Sequence, residues 1–373
     1  MTDAGLTNLR LTDAGLPKRA AWAAGLTVTL PRMLADSLRS QSPAGLDRRI
    51  VDGTVDALRL RAAFTEVPPA SSRLPINYRA IPGPMRRLLA NGIGRAMRLR
   101  QSSWARFPGW PLDLSADLAA DLTETPTITF ARTPVILSHD IDSPEGLVNM
   151  HRLFLPLEEA VGARSVNYVV PCAWPLDHDR LAETAQRGHE IGVHGYDHSN
   201  RSAFMSQEQR HPRLVAGHAF GQTYGACGYR APSLLRTRCL LEDLRSLYRY
   251  DASIPTSGGP FPVPNNGCAS ARPWRFGPLW ELPLTLPRDG SLRFLGYSSA
   301  EIGRLWRQCA EKIAVSGGIV CLLTHCEESF SGNPAMLFVY REFLDWIAAN
   351  PRFEFLRPVD LIARLDAEQG SSS

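Results

Sequence analysis

Pro134-Val135-Ile136-Leu137 runs straight into Ser138-His139-Asp140-Ile141-Asp142. A short apolar run that ends on two carboxylates reads as a buried strand with polar groups gathered at its carboxyl end. The texture recurs downstream in Ser165-Val166-Asn167-Tyr168-Val169-Val170, His189-Glu190-Ile191-Gly192-Val193 and Gly318-Ile319-Val320-Cys321-Leu322-Leu323, with helical stretches between. Such alternation indicates parallel strands in an α/β fold. The ionisable residues fall at matching places: His194 and His198 follow the third run, and His325 ends the last. Parallel barrels build their active sites at the carboxyl ends of the strands, so strand pattern and chemistry point to one face of one domain.

Outward from that domain the composition changes. Up to about Leu122 the chain is rich in Arg, Ala, Leu and Pro with no clear run of strands. We therefore expect a mainly helical N-terminal extension over 1–125, a barrel over 126–366 and a disordered tail over 367–373. Between Pro255 and Pro287 the density of Pro and Gly suggests a long irregular loop forming a wall on the substrate side. Pro84 to Gln101 carries Met85, Leu88, Leu89, Ile93 and Met97 at helical spacing, with Arg86, Arg87, Arg95, Arg98 and Arg100 between them. Such a helix lies on an anionic membrane surface or, more commonly, packs its apolar stripe on the barrel and leaves the basic face to solvent.

The chain has 373 residues, 44% hydrophobic and 21% charged, with a formal net charge of +4. That balance is ordinary for a globular protein, and the positive excess is too small to argue for nucleic acid. The seven cysteines are odd in number and contain no C-x-x-C pair. Neither a disulfide framework nor a zinc ribbon is suggested, and reduced thiols fit best. Met1 to Arg10 is polar, without the basic start and apolar run of a secretory signal, and no apolar stretch reaches spanning length. The expected location is the cytoplasm, with membrane association through residues 84–101 as an option.

In His194-Gly195-Tyr196-Asp197-His198, two histidines four apart can present both imidazoles to one point if the segment turns helically. Imidazole suits zinc and related divalent ions. Asp140 and Asp142 alone read equally well as a turn or helix cap, yet two carboxylates that close repel unless a cation or proton compensates. Two histidines and one carboxylate leave the remaining position for water, as in catalytic zinc sites. The second carboxylate is then a candidate general base, and His325, at the end of the last strand, a candidate acid for the leaving group. His139 adjoins Asp140 but faces away if the strand continues, which makes it structural or a support behind the site residues.

Asp140-Ile141-Asp142, His194-Gly195-Tyr196-Asp197-His198, Tyr229-Arg230-Ala231-Pro232 and Leu322-Leu323-Thr324-His325 together resemble the polysaccharide deacetylases of the NodB-homology type, carbohydrate esterase family four, over about Thr127 to Leu365. The resemblance implies a distorted (β/α)7-type barrel and a divalent metal, usually Zn2+, with Fe2+ or Co2+ also suited to the donor set. It implies Asp142, His194 and His198 as metal ligands, Asp140 as base, His325 as acid and Arg230 as the residue steering the base. The family pattern has adjacent aspartates, whereas Ile141 separates them here; the D-x-D form is similar to a branch with a peptidoglycan-deacetylase-like enzyme and cyclic-imide hydrolases. Base and ligand roles of Asp140 and Asp142 are interchangeable at this level. The family's fourth motif, an Asp followed closely by Trp, is not evident, and Asp251 in Tyr250-Asp251-Ala252-Ser253 is the nearest candidate for a residue tuning a catalytic group. The implied substrate is an acetylated amino sugar, and the expected lack of a secretory signal favours a nucleotide-linked, lipid-linked or small sugar in cytoplasmic glycan or glycolipid biosynthesis. The alternatives are a lipid-linked formamido sugar, a cyclic imide, or a catalytically silent sugar-binding barrel.

Overall fold

The computed structural model describes residues 6–10, 27–31, 64, 68–73, 82–100, 128–256 and 271–370. Two strands, β1 (Leu6–Arg10) and β2 (Thr27–Pro31), pair antiparallel with each other and join no larger sheet. The main sheet contains β3 (Thr133–Ile141), β4 (Val166–Val169), β5 (Glu190–Val193), β6 (Gly228–Tyr229), β7 (Tyr250–Asp251), β8 (Trp274–Phe276), β9 (Leu279–Glu281), β10 (Val320–His325) and β11 (Phe353–Phe355). Its order is β10-β3-β4-β5-β6-β7-β9-β8, with β11 also on β3. Every pairing is parallel except β8 with β9. Beyond β9 the chain bonds to both sides: Leu284 N donates to Ile254 O at 3.1 Å, and Leu286 N to Cys321 O at 3.1 Å. The sheet thereby curls into the distorted barrel that the resemblance implies.

Side-chain alternation along β3 divides two cores. Val135, Leu137 and Ile141 belong to the outer cluster with Leu147, Phe154, Trp306, Tyr340 and Phe343, under the helices that cover the sheet. Ile136 belongs to the inner cluster with Val166, Tyr168, Tyr250, Trp280, Cys321 and Leu323. A period of two therefore sends Ser138 and Asp140 into the barrel and His139 to the outside. There His139 Nε2 meets Glu158 Oε1 at 2.7 Å and Nδ1 meets Thr324 Oγ1 at 2.8 Å, and Tyr340 donates to the same Glu158 oxygen at 2.7 Å. His139 is a structural residue, as expected.

Four expectations change. The stretch without strands contains β1 and β2, whose alternating Leu6-Thr7-Asn8-Leu9 and Thr27-Val28-Thr29-Leu30 are too short to stand out from their surroundings. Among its described residues the extension is otherwise helical, at Ala70–Arg73 and Gly83–Arg100. The irregular loop from Pro255 to Pro287 holds the β8–β9 hairpin; Gly277 takes φ +62 at its turn, and Trp274, Phe276, Leu279 and Trp280 are buried. Residues 257–270 of that loop lie outside the described residues. The last helix, Pro358–Gly370, reaches past 367 because Leu361, Ile362 and Leu365 pack into the inner cluster and Asp366 accepts from Trp280 Nε1 at 2.8 Å. Of the expected tail, 371–373 lie outside the described residues. The helix Gly83–Arg100 does not bury its apolar stripe: it packs on the helix Asp289–Phe294 through Gly94, where a Cβ would lie 1.9 Å from Phe294 O. Close backbone approach selects the glycine face for packing, and Met85, Leu88, Leu89 and Ile93 are exposed.

Candidate metal and amide-hydrolysis site

β3, β5, β6 and β10 end at one rim and deliver the polar residues there. Asp140 is the second-last residue of β3 and is 2% exposed. In the β10–β3 register it stands opposite His325. Asp142 follows at the strand end, where Ser143 caps the next helix by accepting from Gly146 N at 3.0 Å. After β5 come His194 and His198. The connecting segment is not the helical turn anticipated for this pair: Gly195 has φ +67 and His198 φ +54. These left-handed positions fold the loop back so that the rings converge, with centroids 5.2 Å apart. A Cβ on Gly195 would meet Pro232 Cγ at 2.4 Å, so the loop admits no side chain there.

Asp142, His194 and His198 each offer a donor atom, all within 4.8 Å of one another. Asp142 Oδ1 lies 3.5 Å from His194 Nε2 and 3.4 Å from His198 Nε2. Donors on a tetrahedral ion with bonds of ~2.1 Å are separated by about 3.4 Å, so the spacing fits a divalent metal of zinc's size. The tautomer fits as well. His194 Nδ1 lies 2.9 Å from Arg230 O; a carbonyl only accepts, so Nδ1 carries the proton and Nε2 turns its lone pair to the centre.

Asp140 flanks this centre, its Oδ2 3.6 Å from His194 Nε2. Arg230 Nη1 donates to Asp140 Oδ1 and to Ser138 Oγ, each at 3.0 Å, and Arg230 Nε donates to Ala252 O at 3.0 Å. The guanidinium stacks over the Tyr168 ring at 4.1 Å and is fully buried. Burial alone opposes charge on Asp140, but His194, Arg230 and His325 outweigh it and hold the carboxyl at about 2. Asp140 is thus ionised across the working pH range and fixed in direction. Burial likewise opposes ionisation of Asp142, while His198 and His194 bring its pKa below the ordinary value.

His325 faces the same space from β10. Its Nδ1 lies 2.8 Å from Asp289 Oδ1, and its backbone N donates to Asp289 Oδ2 at 2.8 Å. Burial disfavours the imidazolium, but Asp289, with Asp142 and Asp140 behind it, pushes His325 up to about 10. Asp289 also accepts from Ser331 Oγ at 2.7 Å and Gly290 N at 2.6 Å. Sequence reasoning missed Asp289; the residue it named for tuning a catalytic group was Asp251. Asp251 accepts from Ser253 Oγ at 2.6 Å and Ser253 N at 3.1 Å, and Ser253 Oγ in turn accepts from Ala231 N at 2.7 Å. It braces the backbone beside Arg230 and interacts electrostatically with that guanidinium. The signal for Asp289 was its place: Leu282 to Pro287 is a largely apolar run that ends in Arg288-Asp289 before a helix, as β3 ends in its aspartates.

Two more residues at the rim had no motif to announce them. Glu327, 7% exposed, accepts from Ser143 Oγ at 2.6 Å, and burial together with Asp142 pushes it up to about 7. Arg288 donates from Nε to Ser291 Oγ at 2.7 Å and sits near enough to Asp140, Asp289 and Asp142 for them to offset part of its burial penalty. The site is thus a carboxylate–histidine centre between an Asp140–Arg230 pair and a His325–Asp289 pair.

This is the fold of the polysaccharide deacetylases. A structure titled a putative polysaccharide deacetylase, from Mycobacterium smegmatis, superposes with a TM-score of 0.52 at 18% identity, over 66% of this chain and 96% of that one. PuuE allantoinase does so at 0.50 and 14%, over 63% and 91%. No protein-family model and no curated protein matches the chain.

Proposed function

We propose that the protein is a metal-dependent amidohydrolase of the polysaccharide-deacetylase type, acting on a non-peptide C–N bond, with an acetamido sugar as the leading substrate class. The observation that carries this reading is the convergence of Asp142 Oδ1, His194 Nε2 and His198 Nε2 between a fixed carboxylate and a buttressed histidine. Asp142, His194 and His198 would hold a divalent ion, which when bound would supply Lewis acidity toward the amide carbonyl and acidify water. Asp140, ionised and aimed by Arg230, takes the proton of the attacking water. Asp289 holds His325 Nδ1–H, leaving Nε2–H for the leaving nitrogen. Water adds to the carbonyl carbon, the C–N bond breaks, and the products are the free amine and acetate. The test is metal analysis of the purified protein and a screen of N-acetylated amino sugars, free, nucleotide-linked and lipid-linked, for acetate release. The expected result is about one ion per chain and release that stops with a chelator and with Asp142→Ala. Release that survives both removes the metal from the reaction and overturns the reading.

A second reading keeps the chemistry and changes the amide. A similar structure is titled an allantoinase, which supports the cyclic-imide alternative, and the exposed stripe on Gly83–Arg100 favours a lipid-carried formamido or acetamido sugar. The same screen, extended to formate release and imide opening, separates these. Asp140 and His325, the proposed base and acid, are both present, so a silent sugar-binding barrel is the least supported reading.

A further inference from the structure

We infer that the helix Gly83–Arg100 docks the protein on an anionic lipid bilayer. The residues it leaves uncovered are large and apolar: Met85 is 55% exposed, Leu88 74%, Leu89 56% and Ile93 57%. They form one stripe, at i, i+3, i+4 and i+8. Gly94, the buried contact with Phe294, lies about two and a half turns from Met85 at 3.6 residues per turn, hence on the opposite side of the helix. The packing of the helix on the barrel therefore fixes the stripe outward. Its charge is of one sign: the helix contains five arginines, at 86, 87, 95, 98 and 100, and no Asp or Glu. By register Arg86 and Arg95 border the stripe on either side, and Arg95 is exposed. An outward apolar stripe with arginine positions at its borders, on a helix without acidic residues, matches the acyl boundary and phosphate layer of an anionic membrane surface. No described helix is long and apolar enough to cross a membrane, so the contact lies along the surface.

The location gives the contact a use. Gly94 rests on the helix Asp289–Phe294, whose first residue grips His325. A bilayer held by the stripe is thus tied through one helix to the acid side of the candidate site. The docking stands independently of the amide chemistry, which the vesicle experiment does not use.

The experiment is flotation of the full-length protein with vesicles of phosphatidylcholine alone or mixed with phosphatidylglycerol, at low and high salt. The wild type is expected to float with the phosphatidylglycerol vesicles, less so at high salt, and little with phosphatidylcholine. Leu88→Ser/Ile93→Ser removes two exposed side chains, so it should leave the circular dichroism unchanged and lower the bound fraction by at least about tenfold. Arg95→Glu should weaken binding only to the anionic vesicles. Failure of the wild type to float, or equal flotation of the Ser double variant, overturns the proposal. So does a wild type that self-associates in gel filtration while the double variant does not, because the stripe then serves a second copy of the chain.

Discussion

Replacing Asp289 by Asn asks whether His325 is kept as a proton donor from behind. The rise of His325 from the ordinary 6.5 to about 10 corresponds to ~5 kcal/mol favouring imidazolium over imidazole. A bound cation offsets the part contributed by Asp142 and Asp140, so the part that survives in the working enzyme is the contact with Asp289 Oδ1 at 2.8 Å. A hydrogen bond to a charged partner contributes about 1.5–3 kcal/mol, or about one to two pH units. The sign follows from the role. An acid must hold its proton, activity falls as pH rises through its pKa, and lowering that pKa moves the alkaline limb to lower pH. The Asn amide also turns N–H toward a donor, because Oδ1 receives His325 Nδ1 and Gly290 N while Oδ2 receives His325 N and Ser331 Oγ. That mismatch costs about 1–3 kcal/mol of stability, visible in a thermal melt. The assay is the pH profile of kcat/KM with metal content measured alongside, and Ser331→Ala is the control that removes one Asp289 contact without touching the imidazole. An alkaline limb that stays in place in a folded, metal-loaded Asp289→Asn protein refutes the assignment of His325 as an acid tuned by Asp289.

Asp140→Asn should keep the metal, since Asp142, His194 and His198 remain, and lower kcat by roughly 10²–10⁴; loss of metal in step with activity would instead make Asp140 a ligand. Glu190 is buried at the start of β5, accepts from Tyr250 Oη at 2.6 Å, and is pushed from 4.5 up to about 7 chiefly by burial. Its folded-state pKa is raised, so the unfolded chain gives up this proton first, and stability falls as pH rises from about 4.5 to 7. Glu190→Gln should therefore match the wild type near pH 4 and exceed it by up to ~3 kcal/mol at pH 8, as read by urea denaturation at both; the same difference at both pH values would contradict the mechanism.

The parts legible in the sequence were those written by local periodicity. Pro134 to Leu137 and Val320 to Leu323 announced buried strands, and the place of Asp140, Asp142, His194 and His325 at strand ends announced one rim. Missing were contacts made by pairing distant segments. β6, β7, β8 and β9 have two or three residues each, too few for a periodic signal, and hydrogen bonding to neighbours defines them. The pairing of Asp289 with His325 escaped for the same reason: 36 residues separate them, and only the curling of the sheet brings them together. The helix Gly83–Arg100 was legible as amphipathic, but which side faces the protein depended on Gly94 meeting a backbone carbonyl.

The interruption of the aspartate pair follows from the strand that carries it. β3 stays paired with β4 through Ile141, opposite Val169, so alternation holds to the last residue and sends Asp140 inward toward His325 and Arg230. Asp142, one period further, leans to the histidines after β5. An aspartate at 141 would point the other way, into the cluster of Leu147, Met150 and Phe154 where Ile141 is 0% exposed. Ile141→Asp recreates the adjacent pair and places a carboxylate there without a partner. Ile141→Val removes one methylene and should cost about 0.5–1.5 kcal/mol with metal affinity unchanged. Ile141→Asp should cost several times that, on the order of 3–5 kcal/mol, and bind metal no better. If instead it folds as stably as the valine variant and tightens the metal, β3 bends at its end, and the D-x-D spacing is not what aims the two carboxylates.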